Sequence, residues 1–371
     1  MTHIPLVDLP AQHREIAAEI EPALTEVMRT GAFIGGKPVT LFEQEYADFL
    51  GVGHCVGVGN GTDALEIALR ALGIGAGDEV VLPANTFIAT AEAVVRAGAR
   101  PVLVDVDPAT YLIDSGAAVA AIGPRTRAVI PVHLYGQVAP VEELLPAAAA
   151  AGVAVVEDAA QSQGATRHGR HAGTFGAAAG TSFYPGKNLG AYGDAGAVLT
   201  SSAQVAAAAR TIGSHGSDRK YVHSRLGVNS RLDTLQAVVL RAKLTRLAAW
   251  NTARVDAAAR YDEFLADLAD AGAVTRPVVL PGNTHVWHLY VIEVDNRDTV
   301  LEKLHGAGIG AGIHYPIPVH RQEAFADLGY PLGAFPVSER AAERILSLPL
   351  YPQITADQQA GIVNELRRAL R

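Results

Sequence analysis

Between residues 55 and 156 the chain repeats one pattern, a short continuous apolar run followed by a stretch with helical spacing. The runs fall at 55–58, 79–82, 102–106, 128–132 and 153–156. The helical stretches between them fall at 64–72, 88–97, 115–122 and 141–151. Strands that are apolar along their whole length suit a parallel sheet covered on both faces. Each intervening stretch is long enough for a right-handed helical crossover. The expected fold is therefore α/β, a large domain with a mostly parallel sheet between helices. With 371 residues, 49% of them apolar, the chain can also build a second core. A long helical pattern from about 234 to 268 carries the boundary near Trp250. The expected division is 1–249, an N-terminal arm and the large domain, and 250–371, a smaller α+β C-terminal domain. The arm leads past Pro10 into an amphipathic helix with Ile16, Ile20, Leu24 and Val27 on one face, ended by Gly31. The small domain offers a strand at 286–294 and a helix at 298–305.

Charge narrows the function. The formal net charge is −8, from 38 acidic and 30 basic residues. That argues against nucleic-acid binding, which needs a basic surface, and leaves room for a phosphorylated small substrate held by a local basic cluster. Cys55 is the single cysteine, so no intramolecular disulfide can form, and its apolar strand setting reads as an inert core thiol. The opening residues Met1 to Pro5 lack a basic stretch leading into an apolar core, and no run reaches membrane-spanning length. The expectation is a cytoplasmic protein with no membrane partner and no metal.

Ligands of open parallel sheets gather beyond the carboxyl ends of the strands. Thr86 and Phe87, His133, and Asp158 and Gln161 all fall there. Asp158 directly follows a buried strand, which is costly for a carboxylate unless something pairs with it. The turn Gly59-Asn60-Gly61-Thr62 joins a strand to a helix start, where backbone N–H groups and the helix dipole favour an anion, with the Thr62 hydroxyl beside them. Further on, Lys187 sits in the segment 182–196, rich in glycine and turn-formers. By itself this is a surface lysine in a loop or a Schiff-base lysine in a tight pocket. A Schiff-base lysine, a carboxylate behind a strand, an aromatic ring and a phosphate turn together suit pyridoxal 5′-phosphate. A charge pair at about 4 Å is worth about 4 kcal/mol at an effective dielectric of 20, enough to keep the pyridine nitrogen protonated. The basic segment 215–223 reads as a loop, either solvated or facing an anion. His314 and Tyr315, followed by Pro316 and Pro318, form either a binding edge or a packed loop. The aromatics of 287–290 read mostly as core.

The segments 59–65, Thr86-Phe87, 157–161, 182–196, 227–236 and 314–320 together resemble the DegT-type sugar-nucleotide aminotransferases of the aspartate-aminotransferase fold. The resemblance runs over nearly the whole chain. It implies that Lys187 forms the Schiff base with the cofactor and that Asp158 pairs with the pyridine nitrogen. Phe87 would stack on the ring, Gln161 would lie near the phenolic oxygen, and Gly61, Thr62 and Ser182 would hold the phosphate. Asn229 would reach the phosphate from the partner subunit of a homodimer with shared sites. The resemblance is greatest to 3-keto-sugar aminotransferases, through Trp287-His288-Leu289-Tyr290 and His314-Tyr315-Pro316. In that group the positions matching Tyr184, Lys220, His314 and Tyr315 line the nucleotide-sugar site.

Some relatives carry histidine in place of the lysine and dehydrate their substrates; Lys187 favours transamination. The implied reaction moves an amino group from L-glutamate, which leaves as 2-oxoglutarate, to a keto group of a dTDP- or UDP-linked deoxysugar at C3. Amination at C4, or of a cyclitol, stays open. A pyridoxal-phosphate-binding regulator without turnover is the alternative from another class, against which Lys187 and Asp158 argue. A dinucleotide-dependent oxidoreductase lacks its Gly-x-Gly-x-x-Gly turn after the first strand.

Overall fold

A computed structural model describes residues 3–371; Met1 and Thr2, part of the opening stretch read above, lie outside the described residues. Seven strands make the central sheet: β1 (His54–Val58), β2 (Glu79–Pro83), β3 (Arg100–Val104), β4 (Thr126–Val129), β5 (Ala154–Asp158), β6 (Ala178–Ser182) and β7 (Gly196–Thr200). Their spatial order is β1-β7-β6-β5-β4-β2-β3. The pairs from β3 across to β6 are parallel, whereas β7 runs antiparallel to both β6 and β1. The mostly parallel sheet expected from the apolar runs is present, with one reversed strand in it.

β6 has no apolar run to reveal it, because it reads Ala-Ala-Gly-Thr-Ser. The helix α3 (Gly61–Ala71) lies directly on its backbone. A Cβ at Gly180 would come within 2.8 Å of the Leu65 side chain, so only small residues let the helix seat there. This close seating brings the start of α3 beside Ser182, the last residue of β6.

The N-terminal helix α1 (Leu9–Thr30) has its expected signals. Asp8 caps it by accepting from the Ala11 N–H, Pro10 fills its first turn, and Gly31 closes it at φ 67°. Ile16 and Ile20 are buried with Val239, Ala242 and Trp250. Each such side chain contributes about 1.5–3 kcal/mol by leaving water. The single helix expected over 234–268 is instead three, Thr234–Leu244, Leu247–Phe264 and Ala266–Asp270. At the first break the side chains of Thr245 and Arg246 both donate to the Ala242 carbonyl, each at 2.8 Å, standing in for a main-chain donor. No glycine or proline marks the spot.

A second core draws its buried residues from 257–369, among them Tyr261, Tyr290, Ile292, Leu346, Leu348 and Ile362. Its two strands, Tyr290–Glu293 and Ile345–Leu348, pair antiparallel. The strand expected at 286–294 starts late because the chain turns first. Trp287 has φ 48° and its ring stacks on that of His285 at 3.9 Å between centroids. Among the described residues no helix is long and apolar enough to cross a membrane.

Candidate active site

A cavity of about 590 Å³ opens at the carboxyl ends of the parallel strands, walled on its far side by residues near the second core. Gly61, Thr62, Phe87, Asp158, Gln161, Ser182, Tyr184, Lys187, His314 and Tyr315 all line it. Ten of the twelve residues to which the resemblance gives a role are thus brought to one place from five separate stretches of chain. The other two are not. Lys220 lies on an exposed hairpin (Ser217–Arg219 and Val222–His223), its Nζ 5.1 Å from the Tyr221 ring centre. Asn229 is exposed and accepts a hydrogen bond from Arg231 at 2.8 Å.

At one end of the cavity is an anion cradle. Asn60 caps α3 by accepting from the Asp63 N–H at 2.8 Å, which leaves the N–H groups of Gly61 and Thr62 pointing out of the helix. A Cβ on Gly61 would come 2.6 Å from Ser182 Cβ, so the glycine is what lets the turn close on that serine. Two backbone donors at the start of α3 and the hydroxyl-bearing residues Thr62 and Ser182 line the same part of the cavity. This donor set fits a phosphate group.

At the other end Asp158 ends β5, almost wholly buried. Its Oδ2 accepts from the Thr90 hydroxyl at 2.7 Å and its Oδ1 from the Ala160 N–H at 3.1 Å. Among the described residues no cation forms an ion pair with it. Burial raises its pKa above the ordinary carboxylate value, against the pull of Thr90, Ala160, Lys187 and His133. A buried carboxylate that faces a cavity with no cation at ion-pair distance fits a ligand that brings its own positive charge, as a protonated pyridine does.

Lys187 follows Tyr184 in a tight turn, its N–H bonded to the Tyr184 carbonyl at 2.8 Å. Burial lowers its pKa to about 8, with Asp158 opposing the shift. An amine so held is far more often unprotonated, and so nucleophilic, than an ordinary lysine near neutral pH. Phe87 begins the helix α4 (Ile88–Arg96) with half its surface exposed, its ring 5.1 Å from that of Tyr315. It offers a flat apolar face to the cavity. Gln161 accepts from the Tyr135 N–H at 2.6 Å and donates to the Tyr315 hydroxyl at 3.0 Å, with one amide hydrogen to spare. His314 is tied through Nδ1 to Ser347 Oγ at 2.8 Å, and burial lowers its pKa to about 4.

Sequence reasoning did not single out Thr90 or His288. Thr86 and Thr90 are four residues apart at the start of α4, their hydroxyls 2.7 Å from each other. Because Asp158 as a carboxylate can only accept, the series runs Thr86 to Thr90 to Asp158. The i, i+4 spacing after a strand end was the available signal. Thr90→Val removes a donor from a buried carboxylate. We expect about 10-fold weaker binding of pyridoxal phosphate in equilibrium dialysis, with Thr90→Ser close to wild type. Equal affinity in the valine variant would mean that the hydroxyl does not orient Asp158.

The DegT/DnrJ/EryC1/StrS aminotransferase family matches residues 14–367. A dTDP-3-amino-3,4,6-trideoxy-alpha-D-glucose transaminase of Micromonospora megalomicea subsp. nigra is 46% identical over 355 residues, covering 95% of each chain. A pleiotropic regulatory protein of Geobacillus stearothermophilus is 43% identical over 369 residues, covering 100% of this chain and 99% of the relative. Among solved structures, S. venezuelae DesV in complex with a ketimine intermediate superposes with a TM-score of 0.95 at 41% identity, covering 100% of this chain and 99% of that one.

Proposed function

Because the chain belongs to the DegT/DnrJ/EryC1/StrS aminotransferase family, whose cofactor is pyridoxal 5′-phosphate, we propose that it moves an amino group from L-glutamate to the C3 keto group of a dTDP- or UDP-linked deoxysugar. The observation that carries this reading is the pairing, in one cavity, of Lys187 and cation-free Asp158 with the phosphate cradle at the start of α3. The cofactor supplies an electron sink that makes the proton on the donor's amine-bearing carbon labile. Lys187 would hold it covalently through Nζ, Asp158 would pair with its ring nitrogen, and Gly61, Thr62 and Ser182 would take its phosphate. Phe87 would cover one face of its ring, and the spare amide hydrogen of Gln161 would serve the phenolic oxygen.

The chain's own groups then do the following work. Lys187 Nζ would accept the proton from the donor's Cα and would later return a proton to the sugar carbon. The burial that lowers its pKa to about 8 makes both steps accessible near neutral pH. Tyr184, His314 and Tyr315 form the wall against which the nucleotide sugar lies. Incubating the enzyme with glutamate and 3-keto or 4-keto nucleotide sugars, followed by NMR of the product, tests the reading. Amine at C4 only would move the regiochemistry, and amination of a cyclitol alone would replace the substrate class.

The name of the Geobacillus relative favours a second reading, a regulator that binds the cofactor without turnover. Steady-state 2-oxoglutarate release separates the two, since a regulator gives none beyond one equivalent.

Asn229 and Lys220 act in this reading from a second copy of the chain, and the protein works as a cytoplasmic homodimer. Asn229 is exposed and absent from its own chain's cavity, and the surface near it carries exposed Phe33, Ile34, Tyr221 and Leu226. The turn bearing Asn229 is also rigid, because Ser230 Oγ donates to Asp63 at 2.7 Å and accepts from the Gly59 N–H at 2.9 Å. Mixing inactive Lys187→Ala with impaired Asn229→Ala subunits tests the arrangement. If Asn229 acts in trans, each heterodimer holds one intact site and regains up to about half of wild-type activity. Proven subunit exchange without recovery places Asn229 in its own chain's site.

A further inference from the structure

His288 lines the cavity near Lys187, in the turn that precedes the strand Tyr290–Glu293. Its Nδ1 lies 3.2 Å from Asn188 Oδ1. Asn188 Nδ2 donates to Asn251 Oδ1 at 2.9 Å and to the Val286 carbonyl at 2.8 Å. Asn251 Nδ2 in turn donates to the Gln163 carbonyl at 2.9 Å. Peptide carbonyls only accept, so the two amide orientations are fixed from outside the cavity. Asn251 must present its oxygen to Asn188. Asn188, with both its N–H bonds engaged, must present its oxygen to His288. The hydrogen of the neutral ring therefore sits on Nδ1, and Nε2 carries the lone pair. Among the described residues no group bonds Nε2, which is open to the cavity. Burial, reinforced by Lys187, holds the imidazole neutral.

We propose that His288 Nε2 accepts a hydrogen bond from a sugar hydroxyl next to the carbon that receives the amine, and so selects ketosugars that carry this hydroxyl. The proposal rests on the sugar aminotransferase reading above. Of the two substrates, glutamate brings two carboxylates, which only accept, and its nitrogen is engaged in the transfer. A fixed lone pair repels the first and has no use for the second. The sugar alone brings hydroxyl donors. A buried acceptor left unpaired by a deoxygenated substrate costs affinity, which makes such a residue a stronger discriminator than an apolar wall. The Lys187 amine in the same cavity is a competing donor, and the experiment separates it.

Single-turnover rates are measured for the holoenzyme in each half-reaction, first with L-glutamate, then with nucleotide-linked 3-ketosugars that keep or lack a hydroxyl beside the ketone. His288→Leu is expected to lower kcat/KM for the hydroxylated sugar by about 10- to 100-fold. The deoxygenated sugar and the glutamate half-reaction should change by no more than about threefold. His288→Gln, which keeps an acceptor, should recover part of the selectivity. His288→Phe preserves ring volume without the acceptor and should repeat the leucine result, which guards against a folding defect. Equal losses in both half-reactions overturn the proposal in favour of a role on Lys187. Equal losses for both sugars overturn it in favour of packing, and unchanged selectivity overturns it outright. If the wild-type enzyme reacts with glutamate but with no nucleotide ketosugar, the substrate reading itself falls and takes this role with it.

Discussion

Lys187→Ala is expected to lose at least about 10⁴-fold in turnover while remaining folded, because the covalent anchor and the proton carrier are one group. Steady-state 2-oxoglutarate production measures the loss. A companion experiment locates the attachment. The purified holoenzyme should absorb in the visible, and borohydride reduction followed by peptide mass spectrometry should find the cofactor's mass on Lys187. The fold should tolerate the change well, since burial disfavours the charged form of this amine and lowers its pKa to about 8. Near-normal activity in the variant, or label on another lysine such as Lys243, would remove Lys187 from the mechanism.

The second large effect is at Asp158. An uncompensated ring nitrogen loses a charge pair worth about 4 kcal/mol, so Asp158→Asn should be slower by about 10³-fold. Asparagine keeps the shape and can still accept from Thr90, but its amide nitrogen then faces the Ala160 N–H, so this variant removes the charge together with one backbone bond. Asp158→Ala should be at least as slow and should also bind the cofactor less tightly in dialysis. A rate near wild type in either variant would reduce the carboxylate to a structural part of the β5 end.

The residues of this site were legible in the sequence to unequal degrees. Asp158, Phe87 and the Gly61-Thr62 turn follow apolar runs, and the rule that ligands gather past the carboxyl ends of parallel strands places them together. Lys187 is different. Its position depends on β6, which has no apolar signature because α3 needs small residues beneath it. The chemistry of a shared cofactor and the resemblance to a family joined the lysine to the rest, and the strand pattern did not. His288 was hidden by alternation, since 287–292 reads as a half-buried strand whereas the chain turns at Trp287 and directs His288 to the cavity. The Thr245–Arg246 break was hidden because side chains, not glycine or proline, end the helix there. Lys220 and Asn229 do not line their own chain's cavity, and the roles proposed for them call on a second copy, which neither pattern nor spacing within one chain encodes.

The carboxylate of Asp158, hydrogen-bonded to two neutral donors and ion-paired to no cation among the described residues, also bears on how well the protein holds together before its cofactor arrives. Its pKa is raised in the folded chain by burial, so the folded form binds that proton more tightly than the unfolded form. The cofactor-free enzyme therefore loses stability as pH climbs from the ordinary carboxylate range through the raised value, and the deficit is fully present above it. Most acidic groups in folded proteins have the opposite sign. Binding a positively charged ring relieves this deficit, so part of the cofactor's affinity is stored in the empty protein as instability. The melting temperature should rise on loading by more than it does in Asp158→Asn, which has no carboxylate charge for the ring to relieve.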